Sequence, residues 1–209
     1  MAQTSDTKER LLEATLELIS EKGYLGASTR EIASRAGVSE LTLFRKFGKK
    51  EKLFEEMLET HTFLPRLKGL LESVEGLPCE TVLEAIGTKF LETLKERKKL
   101  FRIMITEINT YPEKIRETYT RFIANTGDEL KGYLEQLQSE GRLREVDLDI
   151  AAMMFFRVLV SFFQTEEIFK GREISSGEIE ETVKQYVDLF LRGVLFEEQE
   201  SGVRSQESE

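Results

Sequence analysis

Apolar residues recur at three- and four-residue intervals along almost the whole chain, and no stretch alternates with period two strongly enough to read as a strand. With only 3 prolines to interrupt it, that pattern restricts the chain to an all-α fold built from capped helices. Leu11, Leu12, Thr15, Leu18 and Ile19 mark a first amphipathic helix, opened by Asp6 or Thr7 and stopped at Gly23. Ser28-Thr29-Arg30-Glu31 is a capping box, with serine hydroxyl and glutamate carboxylate each satisfying a free amide, and it opens a helix over 29–36 that ends at Gly37. Ser39 caps a third helix over 40–46. A fourth starts near Lys49 and is broken or kinked at Pro65, which lacks an amide donor. Longer helices are expected over 79–95, 97–109, 112–139, 147–169 and 175–198, and the polar tail 197–209 is too poor in apolar residues to pack.

Composition narrows the function classes. Of 209 residues, 40% are hydrophobic and 33% charged, enough for a core and for solubility. The run Leu148 to Phe163 is interrupted by Asp149, Arg157 and Ser161 and is shorter than the ~20 residues that span a bilayer. The N-terminus has no apolar secretory stretch, so a cytoplasmic protein with no membrane partner is expected. A single cysteine, Cys79, and a single histidine, His61, make a poor supply of metal ligands. There is no glycine-rich phosphate loop, and carboxylates such as Glu92 and Glu96 sit beside Lys95 and Lys99 as on any solvated helix face. No catalytic constellation emerges and no cofactor is implied, so an enzyme is not expected.

Charge is unevenly spread. The net charge of −9 argues against nucleic acid until its distribution is considered. Residues 22–52 hold eight basic side chains against three acidic ones, a net of +5, whereas residues 61–209 hold 20 basic and 28 acidic, a net of −8. A short cationic island precedes an acidic body.

That island contains Ile32-Ala33-Ser34-Arg35-Ala36-Gly37-Val38-Ser39-Glu40-Leu41-Thr42-Leu43-Phe44-Arg45. Two short helices joined by so tight a turn need a small residue where they cross, Ala33, and a residue that tolerates unusual backbone angles, Gly37. Ile32, Ala36, Val38 and Leu43 supply apolar contacts beneath. These are the spacings of a helix-turn-helix unit, whose second helix lays its leading residues on base edges in the major groove.

The same segment resembles the N-terminal signature of TetR-family transcriptional regulators. Ala14, Gly23-Tyr24, Ser28-Thr29, Ile32-Ala33, Ala36-Gly37-Val38-Ser39, Thr42-Leu43-Phe44, Phe47, Lys50-Glu51 and Leu53 stand at matching offsets. The resemblance runs from Thr7 to about Leu53. It implies a three-helix DNA-binding domain over 1–53 and a larger helical effector-binding and dimerisation domain over 54–196, followed by the tail 197–209. It also implies DNA contacts from Thr29, Arg30, Lys50 and the third helix, with Lys50 on the backbone. Physically, Ser28 and Thr29 begin a helix whose free amides and hydroxyls suit a phosphate. Behind the cap at Ser39, base readout falls to Glu40, Leu41, Thr42, Arg45 and Lys46, since arginine pairs with guanine while leucine or threonine packs on a thymine methyl. Three positions depart from the family pattern: Leu41 replaces a small residue, Phe44 a common tyrosine whose core volume it can fill, and Lys46 an aromatic or histidine.

The rear half is oily. From Leu148 to Phe169 the helix is apolar nearly all round, and Ile179, Val183, Tyr186, Val187, Phe190 and Val194 form a stripe on the last helix. Beyond ordinary core packing, the excess predicts that these two helices pair with their copies in a homodimer, through Phe156, Val160, Ile179, Val183, Val187, Phe190 and Val194. Phe90, Leu94, Phe101, Met104, Ile105, Ile108 and Phe122, with Phe155, Leu159 and Phe163, are candidates to wall a cavity for a small hydrophobic, lipid-like effector. Tyr119 and Ile123 belong to the same set, and Arg102, Glu107, Asn109 and Gln164 are candidate polar anchors. The expected function is a ligand-responsive repressor of a double-stranded, near-palindromic operator. A helical carrier or interaction protein that binds no DNA is the competing reading.

Overall fold

The computed structural model describes residues 2–74 and 76–194, with side chains from residue 7 onward. Its helices are α1 (Ala2–Gly26), α2 (Thr29–Arg35), α3 (Glu40–Phe47), α4 (Lys50–His61), α5 (Phe63–Ser73), α6 (Cys79–Glu96), α7 (Lys98–Glu107), α8 (Glu113–Ser139), α9 (Leu148–Phe163) and α10 (Ser176–Val194). A short 3-10 turn, Ile108–Thr110, follows α7, and a π-helical turn, Gln164–Phe169, continues α9. Among the described residues there is no β-strand, and the architecture is all-α. The polar tail 197–209 lies outside the described residues.

Several boundaries differ from the sequence expectation for local reasons. The first helix starts ahead of Asp6 and Thr7, and Gly23 breaks its geometry (φ 72, ψ 171) without ending it, since one further turn reaches Gly26. The fourth helix ends at His61, not at Pro65, because Thr62 is extended (φ −110, ψ −163). Pro65 then falls in the first turn of α5, where amides have no intrahelical acceptor and a missing donor is harmless. Pro65 therefore does not terminate α4. Apolar spacing runs through the break from Met57 and Leu58 to Leu64 and Leu67, so periodicity alone fused α4 with α5.

Two apolar cores result. The front core joins α1–α4 through Leu11, Ile19, Tyr24, Ile32, Leu43, Leu53, Phe54 and Met57, and it also takes Leu100 and Met104 of α7, Tyr111, and Ile115 of α8. The rear core packs α5, α6, α8, α9 and α10 around Leu83, Ile86, Phe155, Leu159, Phe163, Val183 and Val187. Burial of this kind supplies ~25 cal/mol for each Å² of apolar surface removed from water.

The last two helices present different faces from those the sequence suggested. Ile179, Val183, Val187 and Val194 turn inward to the rear core, and Phe156 packs on Phe90 at 4.9 Å and on Phe63 at 5.8 Å. They complete the chain's own core because α10 is the principal partner of α6, and they are not free to meet a second copy. Val160 and Phe190 lie half-buried at the margin. The water-facing apolar groups are instead Ile150, Met153, Met154 and Val158 on α9 and Leu189 on α10. By length and composition the 22 residues Leu148–Phe169 could cross a membrane, a longer segment than the interrupted apolar run suggested. Within the fold its inner face is packed by Ala151, Ala152, Phe155, Phe156, Leu159 and Phe163, and Asp149 pairs with Lys131 at 2.8 Å.

The close approach of α6 to α10 depends on Gly87, where a Cβ would come within 2.8 Å of the fully buried Val183 Cγ1. Overpacking of ~1–3 kcal/mol should exceed the ~1 kcal/mol helix-propensity gain, so Gly87→Ala is expected to lower stability. Val183→Ala alone should lose about 2 kcal/mol. In urea unfolding, the double variant should lose less than the sum, because the new methyl occupies the space vacated by valine.

Candidate nucleic-acid interface

The helix-turn-helix is assembled from local bonds. Ser28 Oγ accepts from the Glu31 amide at 3.2 Å and Glu31 Oε2 accepts from the Ser28 amide at 3.2 Å, closing the capping box. The turn follows with Gly37 at φ 67 and the Val38 amide donating to Ala33 O at 2.9 Å. Ser39 Oγ then caps α3 by accepting from the Thr42 amide at 3.2 Å. At the other end Gly48, at φ 71, donates its amide to Phe44 O at 2.8 Å. Leu43 and Phe47 bury the inner face of α3.

Its outer face divides into committed and open groups. Thr29 Oγ1 donates to Glu40 Oε1 at 2.6 Å, tying α2 to α3, and the Ser39 and Thr42 hydroxyls bond each other at 2.9 Å. Arg30, Leu41 and Arg45 are exposed, and Lys46 is half-buried. Lys49, not singled out in the sequence, is also exposed just before α4. Nearby cations are occupied: Lys22 pairs with Glu31 at 2.6 Å and Arg35 with Glu21 at 2.9 Å. Phe44 departs from expectation. It does not fill core volume but faces water, because the inward positions of α3 belong to Leu43 and Phe47.

Lys50 is half-buried and already engaged. Its ammonium donates to Tyr24 O and lies 4.2 Å from the centroid of the Tyr24 ring. Burial pushes its pKa down, against the opposing charge of Glu51.

Behind it runs a junction that periodicity and motif could not reveal. The Tyr24 amide donates to Tyr111 Oη at 3.0 Å, and that hydroxyl donates to Glu107 Oε2 at 3.2 Å. Burial pushes the Tyr111 phenol up to about 12, so it stays neutral and can donate and accept at once. Glu107 lies against Gly23, where any Cβ would be 2.0 Å from Oε2, and the positive φ independently demands glycine. Tyr24 and Tyr111 are 87 positions apart, so only the Gly23-Tyr24 pair itself hinted at the site.

The expected effector residues do not meet in one place. Phe90, Leu94, Phe101, Phe155, Leu159 and Phe163 belong to the rear core, whereas Met104, Ile108, Tyr119 and Phe122 pack with the front core. Ile105 is half-buried and Ile123 exposed. Of the polar anchors, Glu107 is spent on the Gly23 junction, Arg102 and Asn109 are exposed, and Gln164 begins the π turn. A charged group missed in the sequence lies in that turn. Glu167, only 2% exposed, accepts from Lys98 Nζ at 2.5 Å and from the Ile174 amide at 2.8 Å. Burial opposes its ionisation, yet those two donors hold its pKa below the usual carboxylate range.

Residues 11–57 match the family model of bacterial regulatory proteins of the tetR family, and residues 81–193 match that of the C-terminal domain of AefR-like transcriptional repressors. The uncharacterised HTH-type transcriptional regulator YvkB of Bacillus subtilis is 29% identical over 188 residues, spanning 90% of this chain and 97% of that one. A solved protein of Mesorhizobium loti ascribed to the same family is 26% identical, with a TM-score of 0.69 over 92% of this chain and 98% of that one. The regulator FadR of Bacillus subtilis, solved in complex with stearoyl-CoA, shares the fold at 18% identity, with a TM-score of 0.70 over 86% of this chain and 96% of that one.

The capping box carries a pH signature. Hydrogen bonds from Lys22 and then Ser28 lower the Glu31 pKa from 4.5 to about 2. A folded-state pKa below the unfolded one stabilises fully above the unfolded value and is lost as pH falls through the folded one. Between pH 4.5 and pH 2 the melting temperature should therefore fall more steeply in the native protein than in Glu31→Gln, as followed by circular dichroism.

Proposed function

The chain belongs to the TetR family of DNA-binding transcriptional regulators, and from that premise we propose a ligand-responsive repressor that binds a near-palindromic operator as a homodimer. The observation that carries this reading is the outer face of α3, where Leu41, Phe44 and Arg45 stand exposed on a helix capped at both ends, with Arg30 and Lys49 also open to phosphate. Arg45 reads a base edge, while Arg30, Lys49 and Lys50 engage the backbone. The Ser28, Thr29 and Ser39 positions hold the two helices in register, with Glu40, Thr42 and Lys46 flanking the readout. Lys50 leaves the Tyr24 carbonyl for a phosphate on binding. This activity is cytoplasmic, where the operator DNA lies.

Dimerisation uses the unpartnered stripe of α9, Ile150, Met153, Met154 and Val158, continued by Leu189 of α10 and margined by Val160 and Phe190. Two copies then present two α3 helices to half-sites related by twofold symmetry. The effector is a hydrophobic or amphipathic molecule, of which the acyl-CoA held by Bacillus subtilis FadR is one instance. It lodges among Phe90, Leu94, Phe101, Phe155, Leu159 and Phe163, parting the edge contact of Phe101 with Phe163 at 5.3 Å. Such displacement moves α7, whose last residue Glu107 lies against Gly23 and whose following turn carries Tyr111 to the Tyr24 amide, and so repositions α1 and α4. A coupling of ~1–3 kcal/mol suffices for a ~5–150-fold change in operator affinity.

Two measurements test the reading. In gel shifts on a duplex selected from genomic fragments, Arg45→Ala should lose ~1–3 kcal/mol and relax specificity at one base. Lys50→Ala should weaken all sequences alike and flatten the slope of log K against log salt by about one. Retention of duplex by both variants with unchanged affinity would sink DNA recognition through α3. Separately, sedimentation should give a dimer, and Met154→Glu with Val158→Glu should give monomers whose operator affinity is about tenfold lower or worse, since the second half-site no longer binds intramolecularly.

A further inference from the structure

The outward face of α3 carries two large apolar side chains that contribute little to packing. Leu41 is 60% exposed and Phe44 43% exposed, while Leu43 and Phe47 bury the inner side of the same helix. Leu41 and Phe44 are three residues apart, which makes them neighbours on one helical face with ~5–6 Å between their Cβ atoms. Arg45 borders them, and the bond from Thr29 to Glu40 ties the only carboxylate of α3 to α2. The caps at Ser39 and Gly48 hold the pair on a fixed element.

The occupant of this apolar ridge follows from its surroundings. Exposed Arg30, Arg45 and Lys49 suit a polyanion. Base edges in the major groove are otherwise donors and acceptors, and their one apolar group is the C5 methyl of thymine. We propose that Leu41 and Phe44 form a methyl-reading pair that selects operator half-sites carrying two thymines within three successive base pairs. The spacing sets this register, because ~5–6 Å along the helix face corresponds to one or two base steps of ~3.4 Å. The inference rests on the DNA-binding reading above and adds the chemistry that α3 selects.

The test uses the full-length protein. A randomised duplex library is selected, and the enriched duplex is resynthesised with single thymines replaced by deoxyuridine, which deletes only the methyl. At two positions in each half-site affinity should fall about fourfold, the equivalent of ~0.8 kcal/mol for one buried carbon, with little change elsewhere. Leu41→Ala should abolish the effect at one of those positions and Phe44→Ala at the other, while Lys49→Ala should weaken binding and leave both methyl ratios intact. Native helicity and melting of the variants separate these outcomes from misfolding. Equal affinity for every deoxyuridine duplex, or methyl effects that survive both alanine variants, overturns the pair and leaves operator binding standing. A change of oligomeric state in either variant without a change in methyl sensitivity identifies a protein contact and likewise overturns it. If no duplex is enriched, both readings fall.

Discussion

The hold of the rear helices on Gly23 and Tyr24 is the constraint on which the rest of the molecule depends. Glu107 occupies the space where a side chain at position 23 would stand, and Tyr111 accepts the Tyr24 amide. Tyr24 in turn offers its carbonyl and ring to Lys50 and packs edge-on against Phe54 at 5.2 Å. Three elements far apart in the chain therefore meet on one two-residue break in α1. A buried amide left without its acceptor costs ~1–3 kcal/mol, so this bond adds to the packing of Leu100 and Met104 in fixing the front helices against α7.

At its other end α7 is fastened by charge. Lys98, the first residue of α7, donates to the buried carboxylate of Glu167, which also accepts the Ile174 amide after the π turn. A buried carboxylate tolerates that position only while its donors stay in place, since removing one partner of such a pair commonly costs ~3–5 kcal/mol. Glu167 lies four residues beyond the buried Phe163 and continues the inner face of α9 into the π turn. Thus α7 is pinned to α9 at one end and to α1 at the other, with Leu100 and Met104 between them in the front core. That helix is the direct structural link between the rear core and α1.

Much of the front was legible in the sequence because its determinants are local. The capping box at Ser28 and Glu31, the turn at Gly37 and the cap at Ser39 act within one or two helical turns, and each has a residue signature. The status of individual site residues was not legible. Lys50 could be placed at the start of α4, but not against the carbonyl of Tyr24. Phe44 could be recognised as unusual, but whether it pointed inward depended on the roll of α3, which Leu43 and Phe47 decide together with their neighbours. On α10 the apolar stripe was plain, yet a stripe does not say whether its partner is α6 of the same chain or a second copy. Gly87 resolved that by admitting Val183.

By itself the sequence determined the helical class, the helix-turn-helix and its caps, and the contrast between a cationic front and an acidic body, because hydrogen-bonding signatures and 3.6-residue periodicity are properties of short stretches. Only the tertiary structure decided which apolar faces are spent inside one chain, where α4 gives way to α5, and how Tyr24, Tyr111 and Glu107 join the two halves. Those outcomes depend on which helices pack together and at what roll. That choice is made by contacts between residues tens of positions apart, which leave no mark on local spacing.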